Sequence, residues 1–160
     1  WLHKLRFVDS LSQVMHSKQC DRSLLPETDA ELQPVTADTI DEWRNIYNNV
    51  MRFVPCSSTL TIQASRDILQ AGTAYFVIDV NGRLGIGAVS NNKIDAIAAC
   101  VRGTGKKVVL ALNKAVIGRN VCVDVSDINT AAMRLYNSLG FQFAGEVIRW
   151  YRYIKDIGVK

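Results

Sequence analysis

A glycine-rich, basic segment, "VRGTGKK" at residues 101–107, has the residue types that could bind an anion. It places two glycines and three positive side chains, Arg102, Lys106 and Lys107, between two apolar runs. Glycine lets a backbone approach an anion closely, and the free N–H groups at the start of a helix bind phosphate groups. Exposed cations at a helix start are otherwise unfavourable by roughly 0.3–1 kcal/mol each. The segment therefore indicates either a pyrophosphate cradle or a solvated basic turn.

Two common phosphate-binding patterns do not fit this segment. A Walker A loop requires G-x-x-x-x-G-K-[ST], but Cys100 stands at the first glycine position and Lys107 at the Ser/Thr position. A dinucleotide fingerprint requires G-x-G-x-x-G, and Val108 occupies the place of its third glycine. What fits is a strand that runs into a short glycine loop and then into a helix.

The elements that must position this loop are predicted from residue 30 onward by hydrophobic periodicity and turn signals. Strands are predicted at "AELQPV", "AYFVIDV", "RLGIGAVS", "IDAIAACV", "NVCVDVSD" and "FQFAGEVIRWYRYIK". Helices are predicted at "TADTIDEWRNIYNNVM", "TIQASRDILQAG", "VVLALNKAV" and "NTAAMRLYNSLG". Asn81-Gly82 is a strong hairpin signal between the second and third strands. The order β-α-α-β-β-β-α-β-α-β indicates an α/β fold with a mixed sheet and helices on its faces.

Residues 1–29 follow a different pattern. Apolar residues recur every three to four positions from Leu2 to Met15, which predicts an amphipathic helix, and "CDRSLLPETD" is typical of a linker. We therefore expect an N-terminal helical extension, or the remnant of a preceding region, at residues 1–29. Residues 30–160 form the expected main domain.

Composition limits the classes of protein that the chain can represent. Its 160 residues suit one domain, and a net charge of +4 suits an anionic ligand or a weak nucleic-acid contact. No apolar run approaches the roughly 20 residues of a membrane span, and the start does not resemble a signal peptide. The four cysteines are scattered, with no CxxC pair and no adjacent histidine, so we expect no metal, and free thiols in a cytoplasmic protein.

The segment "VDVSDINTAAMRLYNSLGF" resembles the second signature of the GNAT superfamily of acetyl-CoA-dependent N-acyltransferases. The match falls on Val125, Asn129, Ala132, Leu135-Tyr136 and Gly140-Phe141. The acetyl-CoA motif of the family is Q/R-x-x-G-x-G/A, and residues 100–105 supply both of its glycines but place Cys100 at the Gln/Arg position. A second register begins at Arg102 and keeps Gly105 but ends on Lys107. Both registers stay open.

This resemblance implies a GNAT fold, with a central sheet of six to seven strands flanked by about four helices. Acetyl-CoA would lie in a gap between the strands "IDAIAACV" and "NVCVDVSD". An acceptor amine of a small molecule, peptide or protein would attack the thioester directly. The acceptor site would include the segment "MRFVPCSSTLT" between the first two helices.

The resemblance also implies roles for individual residues. Tyr136 would protonate the departing thiolate, and Asp95 is a candidate general base beside Asp124 and Asp127. The cofactor-binding residues would be Ala98, Ala99, Cys100, Val101, Arg102, Gly103, Thr104, Gly105, Lys106 and Asn129.

Each of these roles has a structural alternative. Tyr136 lies in a helical stripe and could be a core residue, whereas Asn129 precedes a helix and could act only as its N-cap. Cys100 is interpreted as a small buried thiol rather than a nucleophile.

Two rival functions stay open on the sequence. A degenerate GNAT module of a larger protein could bind coenzyme A without chemistry. A nucleic-acid binder could use Arg149, Tyr151 and Tyr153 on one strand face, a use that the sequence disfavours. A homodimer is left open.

Overall fold

The structure is a computed structural model that describes residues 11–55 and 57–151. These residues contain seven strands and four α-helices. The strands are β1 (Leu11–Asp21), β2 (Glu31–Pro34), β3 (Ala74–Asp79), β4 (Gly82–Ser90), β5 (Lys93–Ala99), β6 (Asn120–Ser126) and β7 (Gln142–Tyr151). The helices are α1 (Ile40–Met51), α2 (Ile62–Ala71), α3 (Gly105–Asn113) and α4 (Thr130–Ser138). None of the helices in these ranges is long and apolar enough to cross a membrane.

All seven strands belong to one mixed sheet. The spatial order is β2-β3-β4-β5-β6-β1-β7, and every neighbouring pair is antiparallel except β5 and β6. The parallel pair needs a crossover connection, which α3 supplies. The α/β class, the mixed sheet and the four helices predicted from residue 30 onward are therefore confirmed.

Each face of the sheet is covered by two helices over its own apolar core. Trp43 and Phe76 belong to the core beneath α1 and α2, and Leu112 and Val123 to the core beneath α3 and α4. Helix α3 packs close to the sheet because β4 has no side chain at Gly87. A Cβ atom there would lie 2.3 Å from Leu112 Cδ1.

The N-terminal segment differs from its prediction. Residues 11–21 are not helical but form β1, while residues 1–10 lie outside the described residues. β1 pairs with β6 along one edge and with β7 along the other, so neighbouring strands satisfy its backbone groups on both sides. Lys18 on β1 is 5% exposed, and its Nζ donates to Asn137 Oδ1 of α4 at 2.7 Å. These long-range contacts override the helical periodicity of the local sequence. The prediction of an extra N-terminal helix is therefore wrong for the described residues.

The division of the chain at residue 29 stays a prediction. The structure shows that β1 shares a single sheet with β2 to β7.

The parallel strands β5 and β6 separate soon after they begin. They pair only at Lys93 with Cys122 and at Ile94 with Val123. Beyond these pairs, Asp95 is an extra residue in the ladder to β4, since Ile94 pairs with Val89 and Ala96 with Ala88. Such a β-bulge bends a strand and increases its twist. The bulge lies where β5 leaves β6, and a gap opens between the two strands.

Candidate functional site

A cavity of about 420 Å³ occupies the gap between β5 and β6. One wall, which we call the α4 side, comes from the end of β5 and from helices α3 and α4. Its lining includes Ile97, Ala99, Gly105, Asn129, Leu135 and Tyr136. The gap predicted between these two strands is therefore present, and Asn129 and Tyr136 line it as the resemblance implied.

The opposite wall, which we call the α1 side, is formed by residues of β1, of α1 with the segment that follows it, and of β6. Its lining includes Met15, Tyr47, Met51, Val54, Asp124 and Ser126. Ser57 and Ser58 also line the cavity, in agreement with the expected acceptor segment, whereas Phe53 of that segment is 78% exposed and lies outside the lining. The cavity thus reaches both faces of the sheet.

Tyr136 is a buried core residue that also lines the cavity. Its side chain is 5% exposed, its ring lies 5.5 Å from that of Phe141, and it also borders the cavity. Burial raises the pKa of the phenol well above its ordinary value. No side chain or backbone group in the described ranges forms a hydrogen bond with the hydroxyl. A phenol in this setting stays protonated and can donate its proton to an atom in the cavity.

Asn129 is both an N-cap and a cavity residue. Its Oδ1 accepts a hydrogen bond from Ala132 N at 3.2 Å, which caps α4. Its side-chain N–H donors have no partner among the residues that the structure describes. The cap fixes the side chain and leaves these two donors for a ligand.

The glycine segment leaves backbone donors free at the start of α3. Gly103 has φ of 84°, a left-handed conformation that glycine adopts readily. The hydroxyl of Thr104 donates to Val101 O at 2.7 Å and does not cap the helix. Within the described residues, the N–H groups of Gly105, Lys106 and Lys107 have no acceptor. Free amides at a helix start suit an anion.

The lysines of this segment have different environments. Lys107 Nζ lies 3.1 Å from Asp29 Oδ1 and 3.3 Å from Asp79 Oδ2, and these carboxylates raise its pKa. The Asp79 side chain is only 4% exposed, so Lys107 ties the start of α3 to the end of β3. No carboxylate in the described part pairs with Arg102 or Lys106. Protein carboxylates therefore offset one of these cations and leave two for a ligand.

The three candidate carboxylates have different surroundings. Asp95 lies at the bulge, lines the cavity and accepts a hydrogen bond from the Ser90 hydroxyl. Asp124 also lines the cavity and pairs with Lys93 Nζ at 2.6 Å. Asp127 instead accepts a hydrogen bond from Val14 N at 2.9 Å, which fixes the turn after β6 to β1. Asp127 thus has a structural role, and the two others remain candidates.

The remaining predicted cofactor residues do not all lie together. Ala98 is 2% exposed in the core beneath α1 and α2, and Cys100 donates its N–H to Leu84 O at 2.8 Å. The interpretation of Cys100 as a buried thiol is wrong, because this residue, which follows β5, is exposed. Partial desolvation still raises the pKa of the Cys100 thiol, which disfavours a nucleophilic thiolate. Val101, Gly103, Thr104 and Lys106 border a second cavity of about 750 Å³ on the far side of the loop, and Arg102 lines neither cavity.

The α1 side contains residues that the sequence did not identify. Tyr47 and Met51 lie within an ordinary amphipathic pattern that indicates only a core face. Met15 was assigned to the N-terminal helix, so its position beside Ser126 could not be expected. No group of three His, Cys, Asp or Glu side chains in the described residues could hold a metal ion.

Comparisons with known proteins identify the fold. No family model and no curated protein matches the sequence. Solved structures do match. An acetyltransferase of the GNAT family from Colwellia psychrerythraea has a TM-score of 0.68 and 14% identity over 89% of this chain and 57% of its own. A functionally unknown conserved protein from Staphylococcus epidermidis has a TM-score of 0.62 and 16% identity over 91% of this chain and 63% of its own.

A third solved structure is a complex with a ligand. AAC(6')-Iy, bound to the bisubstrate analogue CoA-S-monomethyl-acetylneamine, has a TM-score of 0.53 and 18% identity over 78% of this chain and 98% of its own. The chain spans less than two thirds of the length of the Colwellia and Staphylococcus proteins. Identities this low establish the fold and no more. The chain therefore has the fold of the GNAT acetyltransferases.

Proposed function

We propose that this protein transfers an acetyl group from acetyl-CoA to a primary amine by direct attack in a ternary complex. The observation that carries the proposal is the cavity between β5 and β6, whose lining contains a buried, protonated Tyr136 and two carboxylates. The lining comes from both faces of the sheet, so one cavity can hold both reactants. A direct transfer needs this arrangement, because the amine must meet the thioester inside one cavity.

The residues around the glycine loop fit coenzyme A. The free amides of residues 105–107 and the unpaired side chains of Arg102 and Lys106 would bind the pyrophosphate. The donors of Asn129 and the backbone of β5 from Ala98 to Cys100 would hold the pantetheine arm. Acetyl-CoA supplies the activated acyl group. The chain contributes the alignment of both reactants and the positions of the protons.

Tyr136 and Asp95 would handle these protons. The amine nitrogen forms a bond to the acetyl carbon while the carbon–sulfur bond breaks. Asp95 would first accept a proton from the acceptor ammonium, which leaves the neutral amine that attacks. The Tyr136 hydroxyl would donate its proton to the sulfur, and the second proton that the nitrogen loses as the amide forms would pass to solvent, from which the phenolate regains a proton. Burial that keeps the phenol protonated supports the second role.

Calorimetry and a thiol-release assay test this proposal. We expect acetyl-CoA to bind in a one-to-one complex, and free coenzyme A to appear only when a primary amine is added. Tyr136→Phe should retain acetyl-CoA binding and lose turnover. Absence of binding would overturn the cofactor assignment, and unchanged turnover in the variant would remove Tyr136 from the acid role.

A second candidate function is a binding module that has the fold without the chemistry. The departure that favours it is Cys100, which stands where the family motif has Gln or Arg. Binding of acetyl-CoA with no thiol release across a broad amine panel would support this function over catalysis.

Nucleic-acid binding has less support from the described residues. Arg149, which that interpretation requires as a free cation, donates its Nη2 to Glu146 Oε1 at 2.7 Å, and Tyr153 lies outside the described residues. The free thiols of Cys20, Cys100 and Cys122 support a cytoplasmic location, which forms part of the proposal.

A further inference from the structure

We infer that the α1 side of the cavity binds an amine that has an apolar body and carries no carboxylate, with Asp124 and Asp95 setting this preference. The inference rests on the proposed function and names its acceptor class. It follows from the charges in the lining, the apolar surface beside them and the ion pair that Asp124 forms.

The charges in the lining have one sign. Asp95 and Asp124 are its only ionisable groups besides tyrosines, since no Lys, Arg or His borders the cavity within the described part of the chain. An acceptor carboxylate would lie near these two carboxylates, and the basic side chain beside them, Lys93, is already paired with Asp124. Like charges brought together in this way disfavour binding strongly. A cationic amine is attracted to the same wall.

An apolar surface lies beside the carboxylates, and its aromatic ring is held in position. Met15, Met51 and Val54 contribute aliphatic groups, and Tyr47 contributes a ring. The Tyr47 ring stacks on Trp43 at 5.6 Å between centroids. Trp43 is fully buried, and its Nε1 donates to Tyr75 O at 3.1 Å, so the stack is anchored to β3. This surface suits the aryl or alkyl body of an amine, because the anchored Tyr47 ring offers apolar area without further ordering and the methionines adapt to the shape of the ligand.

The Lys93–Asp124 ion pair shows that a primary ammonium binds at this carboxylate. Lys93 Nζ lies 2.6 Å from Asp124 Oδ2, at the point where β5 and β6 separate. The Lys93 side chain is 40% exposed and that of Asp124 is 23% exposed, so the pair is accessible to solvent. An acceptor ammonium therefore competes with Lys93 for Asp124. Removal of the lysine should strengthen amine binding, and removal of the carboxylate should weaken it.

The experiment compares three acceptors that differ by one feature each. 2-Phenylethylamine has the amine and the apolar body, phenylalanine adds a carboxylate, and ethanolamine lacks the apolar body. We expect kcat/KM for 2-phenylethylamine to exceed that for each of the others by about tenfold or more, because one loses charge complementarity and the other apolar contact. The same order should appear in calorimetric binding of the three amines to the protein saturated with coenzyme A.

Variants of the ion pair give opposite predictions. Asp124→Asn should lower the preference for 2-phenylethylamine over phenylalanine by about threefold to tenfold, and Lys93→Met should raise it by a similar factor. Asp67→Asn is the matched control, since Asp67 accepts a hydrogen bond from Gln63 on α2 and lies outside the cavity lining. It should leave the preference unchanged.

The outcomes separate this inference from the proposed function. Tighter binding or faster turnover of phenylalanine, or the same shift in both ion-pair variants, would overturn the inference and leave the acetyltransferase proposal intact. If acetyl-CoA binds but no amine is acetylated, the proposed function fails. In that case the calorimetric order of the three amines still decides whether the wall selects as inferred.

Discussion

The two sides of the cavity are built in different ways. The α4 side comes from the end of β5, the start of α3 and the cap and first turns of α4, all within residues 97–136. The α1 side is formed by residues of β1, of α1 with the segment that follows it, and of β6. The first side comes from a shorter stretch of the chain and includes the segment that resembles a family signature. The second depends on segments more than 100 residues apart that meet only in the folded sheet.

The two sides meet different requirements, one for the cofactor that all such reactions share and one for the acceptor that varies between enzymes. Coenzyme A is common to the reactions of these acetyltransferases and needs the same hydrogen-bond donors each time, so a fixed local motif can supply them. An acceptor differs between enzymes, and its wall can be built from any residues that the fold brings there. We therefore expect substitutions on the α4 side to affect acetyl-CoA binding and chemistry, and substitutions on the α1 side to affect acceptor recognition.

The largest expected effect is a difference in kcat between variants of two tyrosines that lie on opposite sides of the cavity. Tyr136→Phe should lower kcat about a hundredfold or more, because the departing sulfur loses its acid. Tyr47→Phe removes a hydroxyl from the α1 side and should change the acceptor KM by severalfold at most, with kcat retained. Steady-state kinetics of both variants provide the measurement. Equal losses of kcat in the two variants would contradict the division of roles.

The raised pKa of Tyr136 adds a pH dependence to this comparison. A tyrosine with its ordinary pKa of about 10 begins to lose its proton as the pH approaches that value. Burial raises the pKa of Tyr136, so the acid form should persist across that range. The wild-type kcat should therefore show no loss assignable to this phenol below pH 10. A decline that Tyr136→Phe abolishes would show that the group titrates normally.

The next effect compares two helix caps of the same geometry. Asn129 Oδ1 accepts from Ala132 N at 3.2 Å, and Thr61 Oγ1 accepts from Ala64 N at 3.1 Å. Replacement of either residue by alanine should cost about 0.5–2 kcal/mol of unfolding free energy. Only Asn129→Ala should also weaken acetyl-CoA binding, because only Asn129 lines the cavity. Denaturation and calorimetry on both variants measure the two effects.

Thr61→Ala is thus the control for lost stability. If both variants bind acetyl-CoA as tightly as the wild type, Asn129 is a cap and nothing more. Weaker binding in both variants would instead trace the effect to stability.

The smallest expected effect distinguishes two neighbouring lysines. Lys106 has no carboxylate partner among the described residues, whereas Lys107 pairs with Asp29 and Asp79. Lys106→Met should raise the Kd for coenzyme A about two- to fivefold and reduce its dependence on salt, as expected for loss of one charge contact to an anion. Lys107→Met should change the salt dependence less, because that charge is already paired. Titrations at two salt concentrations provide the test.

A larger salt effect for Lys107 would show that it leaves its carboxylates to bind the anion. The assignment of the two lysines would then be reversed.

Residues from 30 onward were predictable where the local pattern was strong. Valine recurs at every second residue of β6, a hairpin joins β3 to β4, and α4 carries its cap at Asn129. The hairpin was predicted, but its two connecting residues are Val80 and Asn81 rather than Asn81 and Gly82, because Gly82 pairs with Asp79 as the first residue of β4. These features depend on backbone preferences and on side-chain alternation, both of which act over a few residues.

β1 was not predictable in the same way. Its sequence has few apolar residues, and a lysine lies at a buried position. The strand is stable because β6 and β7 pair with its two edges and because Lys18 reaches Asn137. Such contacts depend on residues far along the chain, so no local window contains them.

The sequence by itself determined the order of elements from residue 30, the glycine loop before α3 and the identity of Asn129 and Tyr136 as residues of a family signature. Only the tertiary structure decided that β1 lies between β6 and β7, that Lys107 pairs with two carboxylates, and that Asp95 and Asp124 line the same cavity as Tyr47. The physical reason is distance along the chain. Turn chemistry and periodicity act between near neighbours, whereas a cavity between diverging strands gains half of its lining from segments that meet only when the sheet forms.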